Sequence, residues 1–229
     1  MSNFQVQSNL SCAGATTCNV AGFSAIPAGS FVLGFIIRDG DNHAVPSAGS
    51  SGAGTWIVPS GCTTQANCGS AASAVNSGGI EYILSSTGTP TTVTCTSTLN
   101  IDECVVVTFT FTGASIAFDV GVGGAGCNSC ATGPDKAGVS PGTLTGTNDY
   151  IVQYEVTSGS LTGCPNSATS PANFPNGNGI CGLLNSTNTT AGTWTDSSSN
   201  TNNSQGALAF KEAVAATGTN LRALMGVGK

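Results

Sequence analysis

Charge is what this chain has least of. Five Lys and Arg and eleven Asp and Glu make only 7% of its 229 residues charged, against about 25% in an ordinary soluble domain. A nucleic-acid binder needs a basic footprint to neutralise phosphates, and five cations within a net charge of −6 do not supply one. Histidine is nearly missing too, with His43 the single imidazole. Long apolar runs are also lacking. The longest concentrated stretch, Phe31–Ile37, falls far short of the roughly 18 residues that span a bilayer, so neither nucleic acid nor membrane insertion is expected. The segment Met1–Gln7 has neither a basic n-region nor an apolar h-region, so no signal peptide is expected; either a signal was removed or the protein leaves its cell by another route, such as lysis. Ala, Glu, Lys and Leu do not dominate, which argues against a coiled coil.

Glycine, serine, threonine and asparagine are abundant instead, and 32 residues are Gly. The apolar share of 39% is too high for a chain kept disordered by self-repulsion. Phe31–Ile37 is a short continuous apolar run bounded by Gly29 and Asp39-Gly40, the pattern of a strand buried on both faces. Val105–Thr112 turns into alternation, with Val107, Phe109 and Phe111 on one face and Thr108, Thr110 and Thr112 on the other. That pattern predicts a half-buried strand with a solvated Thr face, or a Thr ladder binding an ordered surface. Further strands are expected at Gly79–Leu84, Thr91–Thr96, Ser115–Val120, Tyr150–Thr157, Gly192–Thr195 and Gly206–Lys211. Ser158–Thr190 reads as a long excursion. The expected fold is all-β: an antiparallel, jelly-roll-like, disulfide-stapled β-sandwich over 1–211, followed by a short C-terminal tail or arm over 212–229.

The ten cysteines fall as close neighbours: Cys12 and Cys18, Cys62 and Cys68, Cys95 and Cys104, Cys127 and Cys130, Cys164 and Cys181. This clustering predicts five sequential disulfides, each stapling one loop or hairpin. Loops of about seven to eighteen residues are worth roughly 2.4–3.2 kcal/mol each in the chain-entropy model. Zinc is the competing reading, but Cys127-Asn128-Ser129-Cys130 is the one pair with knuckle spacing, and one pair does not make a four-ligand site. Disulfides imply an oxidising destination, here extracellular or on a virion surface.

The order Ala28-Gly29-Ser30-Phe31-Val32-Leu33, then Thr55-Trp56, a Val/Thr/Phe strand, Thr193-Trp194-Thr195 and a closing Ala209-Phe210-Lys211 resembles Gly/Thr-rich β-sandwich domains. Such domains occur in secreted proteins of environmental bacteria and in phage structural proteins. The similarity runs over roughly residues 5–212. It implies a jelly-roll-like fold and surface exposure, and carries no active-site residues with it.

Candidate sites are few. Gly121-Val122-Gly123-Gly124-Ala125-Gly126 matches a dinucleotide fingerprint in form, but no helix follows to hold a pyrophosphate; it reads as a flexible Gly-rich turn, and no cofactor is expected. Asp39, Asp41 and His43 make a polar turn or an irregular Ca²⁺ site, with Asp39 and Asp41 as ligands; an EF-hand is excluded by Ala44 and Ser50. No catalytic residue is assigned, although distant carboxylates can still meet across a glycan. Trp56 and Trp194 are candidate glycan contacts, against a core role. Leu221, Leu224 and Met225 share one helical face and form a candidate assembly arm. The expected function is a non-catalytic structural or surface-display protein of an extracellular or virion assembly, a decoration or adhesion module. Its partners would be copies of itself, a larger particle or glycans. A secreted carbohydrate-binding module is the alternative, and a glycan hydrolase the third.

Overall fold

The computed structural model describes residues 2–39, 47–59, 76–110, 115–127, 135–137, 140–146, 149–157, 161–163, 179–186, 193–196 and 203–213. Thirteen strands follow one another without an intervening helix among the described residues. They are β1 (Ser2–Asn9), β2 (Ala15–Ala21), β3 (Phe31–Asp39), β4 (Asn76–Ile83), β5 (Thr92–Ile101) and β6 (Glu103–Thr110) in the first half. The second half holds β7 (Ser115–Cys127), β8 (Asp135–Ala137), β9 (Asp149–Thr157), β10 (Leu161–Gly163), β11 (Gly179–Ser186), β12 (Thr193–Asp196) and β13 (Asn203–Ala213). All pairings are antiparallel.

Two four-stranded sheets pack face to face. One has the order β1-β6-β3-β4 and the other β11-β9-β13-β7. Alternate side chains of β3 (Phe31, Leu33, Phe35, Ile37), β4 (Ile80, Tyr82) and β6 (Val105, Val107, Phe109) meet Ile116, Tyr150, Val152, Tyr154, Leu208 and Phe210 of the facing sheet. Rings dominate this core: Phe31 lies 4.8 Å from Phe210, and Phe109 lies 4.9 Å from Tyr150, both edge-on, the arrangement favoured by ring quadrupoles. This is the expected sandwich.

A third layer covers the opposite face of the first sheet. There Val32 and Ile36 of β3, Ile83 of β4, and Cys104 and Val106 of β6 pack with Cys18 and Val20 of β2, Val93 and Cys95 of β5, and Trp56. Strands β2 and β5 form a separate two-stranded ribbon, and the 47–59 segment joins it through Ser47 N to Thr96 O and Thr94 N to Ser51 O. The same segment reaches the first sheet, where Ile57 and Tyr82 exchange two backbone hydrogen bonds. Gly34 is the point of closest approach. A Cβ there would come within 3.1 Å of both the Glu81 side chain and the Trp56 ring, so any larger residue would push one of these neighbours aside by a few tenths of an ångström.

The third layer corrects two expectations. Thr108 is fully buried, so the expected solvated Thr face fails at this position, while Thr110 is half-buried and Thr112 lies outside the described residues. The alternation was right, but the second face is covered by the ribbon rather than by water. Trp56 is 1% exposed and its Nε1 donates to Thr94 O at 2.6 Å; it is a core tryptophan, not a sugar platform.

Other boundaries also shift. Gly121–Gly126 lies inside strand β7, paired with β13, and is not a turn. The expected excursion over 158–190 contains β10 and β11, with Cys181 on β11. Strand β13 runs through Glu212 and Ala213, paired with Ile116 and Ser115, so these two residues belong to the sheet rather than to the expected tail. Phe111, Thr112 and the candidate arm residues Leu221, Leu224 and Met225 lie outside the described residues.

Two of the expected disulfides are present, Cys12–Cys18 and Cys95–Cys104. Cys95 lies on the ribbon and Cys104 on the first sheet, so that bridge ties two layers together. Cys18 and Cys95 are cross-strand neighbours, which sets the two bridges side by side. Cys62, Cys68, Cys130 and Cys164, and the side chains of Cys127 and Cys181, lie outside the described residues.

Denaturant titrations check this architecture. Replacing Phe109 by Ala should cost about 3–5 kcal/mol. Thr108→Val should raise stability by about 1 kcal/mol, because the buried Thr108 hydroxyl has no hydrogen-bond partner and its burial is uncompensated. A destabilised Thr108→Val protein would refute that assignment. Removing Cys95–Cys104 by a double Ala substitution should cost about 2–3 kcal/mol.

Candidate functional site

In a chain this poor in charge, buried ionisable groups stand out. Glu81 on β4 is wholly buried against the third layer. Its Oε1 accepts from Thr96 N at 2.9 Å, and its Oε2 lies 3.2 Å from the Thr96 hydroxyl. Burial pushes its pKa well up, with the Thr96 hydrogen bonds opposing. It therefore acts as a polar link from the first sheet to the ribbon. At the β5–β6 turn, Asp102 pairs with Arg38 at 3.4 Å.

The denser cluster lies on the facing sheet, on the side away from the aromatic core. Strand β13 is flanked by β9 and β7, and Lys211 stands directly opposite Asp149 on β9 and Ala117 on β7. Between the pairs Ala209–Val120 and Phe210–Phe118 the register shifts, leaving Asp119 as an extra residue in β7. A β-bulge of this kind re-aims a side chain. The Asp119 carboxylate is fully buried and sits 2.9 Å from Lys211 Nζ, which is 34% exposed.

Residues 140–146 close over this carboxylate. Asp119 Oδ2 accepts from Thr145 N at 2.7 Å and Gly146 N at 3.3 Å, while Oδ1 accepts from the Thr145 hydroxyl and from Lys211. A Cβ at Gly146 would overlap the Asp149 carboxyl, so glycine is needed for the loop to pass. Asp149 is fully buried, and neither of its oxygens receives a donor. As the neutral acid it can donate to the neighbouring Asp119.

The two carboxyls are accordingly pushed apart. Burial raises Asp149 to about 6, with the hydrogen bond to Asp119 and the Asp119 charge adding to it and Lys211 opposing. Burial acts upward on Asp119 as well, but the hydrogen bonds from Thr145 and Lys211 overcome it and hold its pKa below the ordinary carboxylate range. One proton shared by two touching carboxyls is the expected result of like charges at contact.

Sequence reasoning missed this cluster. Asp119, Asp149 and Lys211 fall in or beside strands that were expected, and charge within a strand of so neutral a chain was the available signal. What brought them together was a bulge and a sheet order that no local pattern encodes. Of the expected site residues, Asp39 ends β3, its backbone paired with Asn76, and its side chain lies outside the described residues, as do Asp41 and His43. Trp194 is on β12 opposite Lys136, its side chain likewise outside them.

Compared with protein-family models, with curated proteins and with solved structures, the chain matches none.

The pair's linkage to stability has a definite sign. Below about pH 4 the unfolded chain binds two protons at these residues and the folded pair one, so stability rises with pH. Between about pH 4 and 6 the folded pair retains a proton that the unfolded chain has released, so stability falls as Asp149 ionises near 6. This decline should be on the order of 1–3 kcal/mol. In Asp149→Asn the amide donates permanently to Asp119, and the decline above pH 4 attributable to the pair should vanish in urea titrations taken at intervals of pH. An unchanged decline would exclude Asp149 as its source.

Proposed function

We propose that this protein is a non-catalytic structural or surface-display module of an extracellular or virion assembly. The observation that carries the reading is where its scarce charge is used. Glu81 binds Thr96, Asp102 binds Arg38, and Asp119 binds Thr145 and Lys211, so these carboxylates serve the fold's own contacts. A chain with so few charges offers little repulsion to packing against neighbours. The two disulfides fit an oxidising destination, and no helix among the described residues is long and apolar enough to cross a membrane.

Leu221, Leu224 and Met225 retain the spacing of an apolar helical face, and a segment of 16 residues beyond Ala213 is marginal as a helix on its own. In this reading it docks on a neighbouring subunit or particle. The test is light scattering and electron microscopy of the full chain and of a chain ending at Ala213. The full chain should form oligomers or bind its particle, and the truncated chain should keep its β-type circular dichroism while losing assembly. A full chain that stays monomeric at high concentration and is retained instead by a glycan panel would overturn the proposal in favour of a carbohydrate-binding module.

A further inference from the structure

We propose that Lys211 and Asp119 are joined by an intramolecular amide bond that cross-links strands β13 and β7, with Asp149 as the acid that moves the protons. The inference does not rest on the assembly reading, since the bond would form within a single chain. It rests on four placements. Lys211 Nζ is 2.9 Å from Asp119 Oδ1, and the Asp119 side chain has no exposure to water. The bulge aims Asp119 at β13 rather than at solvent. Thr145 N and Gly146 N both donate to Asp119 Oδ2, which is the arrangement that stabilises an oxyanion. The fourth is Asp149, a buried carboxyl with no donor of its own, held against the same group.

The chemistry balances without any further reactant. The Lys211 ammonium passes a proton to the Asp119 carboxylate, giving a free amine beside a carboxylic acid. The Nζ lone pair then attacks Asp119 Cγ. Negative charge develops on Oδ2, where the two backbone N–H groups receive it. Asp149 takes the second proton from nitrogen as it delivers its own to Oδ1. The Cγ–Oδ1 bond breaks, water leaves, and an amide remains. The resting ion pair makes the neutral pair a minor state, which slows the step; a bond that forms once in the lifetime of the molecule tolerates a slow step. Such proton transfer by a positioned acid is generally worth on the order of 100- to 10,000-fold in rate.

Mass spectrometry of the full chain, reduced and denatured, tests this directly. The protein should be lighter than its sequence by one water. Trypsin should then release a branched product, because Asp119 lies in the peptide 39–136 and Lys211 in the peptide 137–222, which stays uncut at an acylated Lys211. Lys211→Arg keeps a cation beside Asp119 and should restore the full mass, while Asp149→Asn should leave most molecules unlinked after the same interval. A wild-type chain of full mass overturns the proposal. So does a water loss without branching, which would mean a cyclic imide or a Lys211–Asp149 bond inside the peptide 137–222. A branch that survives Lys211→Arg would mean an ester through Thr145, and overturns it equally.

Discussion

The burial of β3 and β6 on both faces is the constraint from which the rest of the architecture follows. Phe31, Leu33, Phe35 and Ile37 project to one side of β3, Val32 and Ile36 to the other. A sheet with two apolar faces needs two covers. One is the four-stranded sheet carrying Tyr150, Tyr154 and Phe210. The other is the two-stranded β2–β5 ribbon with the 47–59 segment. A lone two-stranded ribbon is marginally stable in water, and it is this thinner cover that carries both described disulfides. The bridges thus lie where hydrophobic burial alone is least sufficient.

Polar groups inside such a structure need partners, and the partners available determine their roles. Glu81 faces the ribbon from β4 and takes both its hydrogen bonds from Thr96, making a buried carboxyl part of the contact between layers. Trp56 Nε1 finds Thr94 O on the same ribbon. Asp119 has a different solution. The bulge turns it out of the β7–β13 ladder, and residues 140–146 supply two backbone donors, so its charge is held by the chain itself.

Much of the first sheet was legible in the sequence because its signals are local. The continuous run in β3 and the alternation in β6 are patterns of period one and two, and they gave correct strands within a few residues. The spacing of Cys12 with Cys18 and of Cys95 with Cys104 also encodes its own pairing. What escaped was non-local. Thr108 looked solvated because its sequence pattern says nothing about a second cover over that face. Gly121–Gly126 looked like a turn because its glycines hide the strand that β13 imposes by pairing. The Asp119–Asp149–Lys211 cluster draws on three strands separated by up to 92 residues, and only the sheet order brings them together.

The two outer layers are therefore secured by unlike chemistry, for reasons of geometry. The ribbon meets the first sheet through small apolar contacts and cysteines at the seam, where thiol oxidation is the available covalent closure. The opposite sheet has no described cysteine bridge across β7 and β13. Its edge strand β7 is irregular, with two register shifts against β13, and irregular pairing weakens the ladder that holds an edge. At one of those shifts stand an amine, a buried carboxylate, two backbone donors and a second acid. An amide at that point would close the edge at the place where its hydrogen-bond ladder is interrupted, and unlike a disulfide it would persist under reduction. The bulge that weakens β7 is also what delivers Asp119 to Lys211, so the defect and its covalent remedy have a common origin.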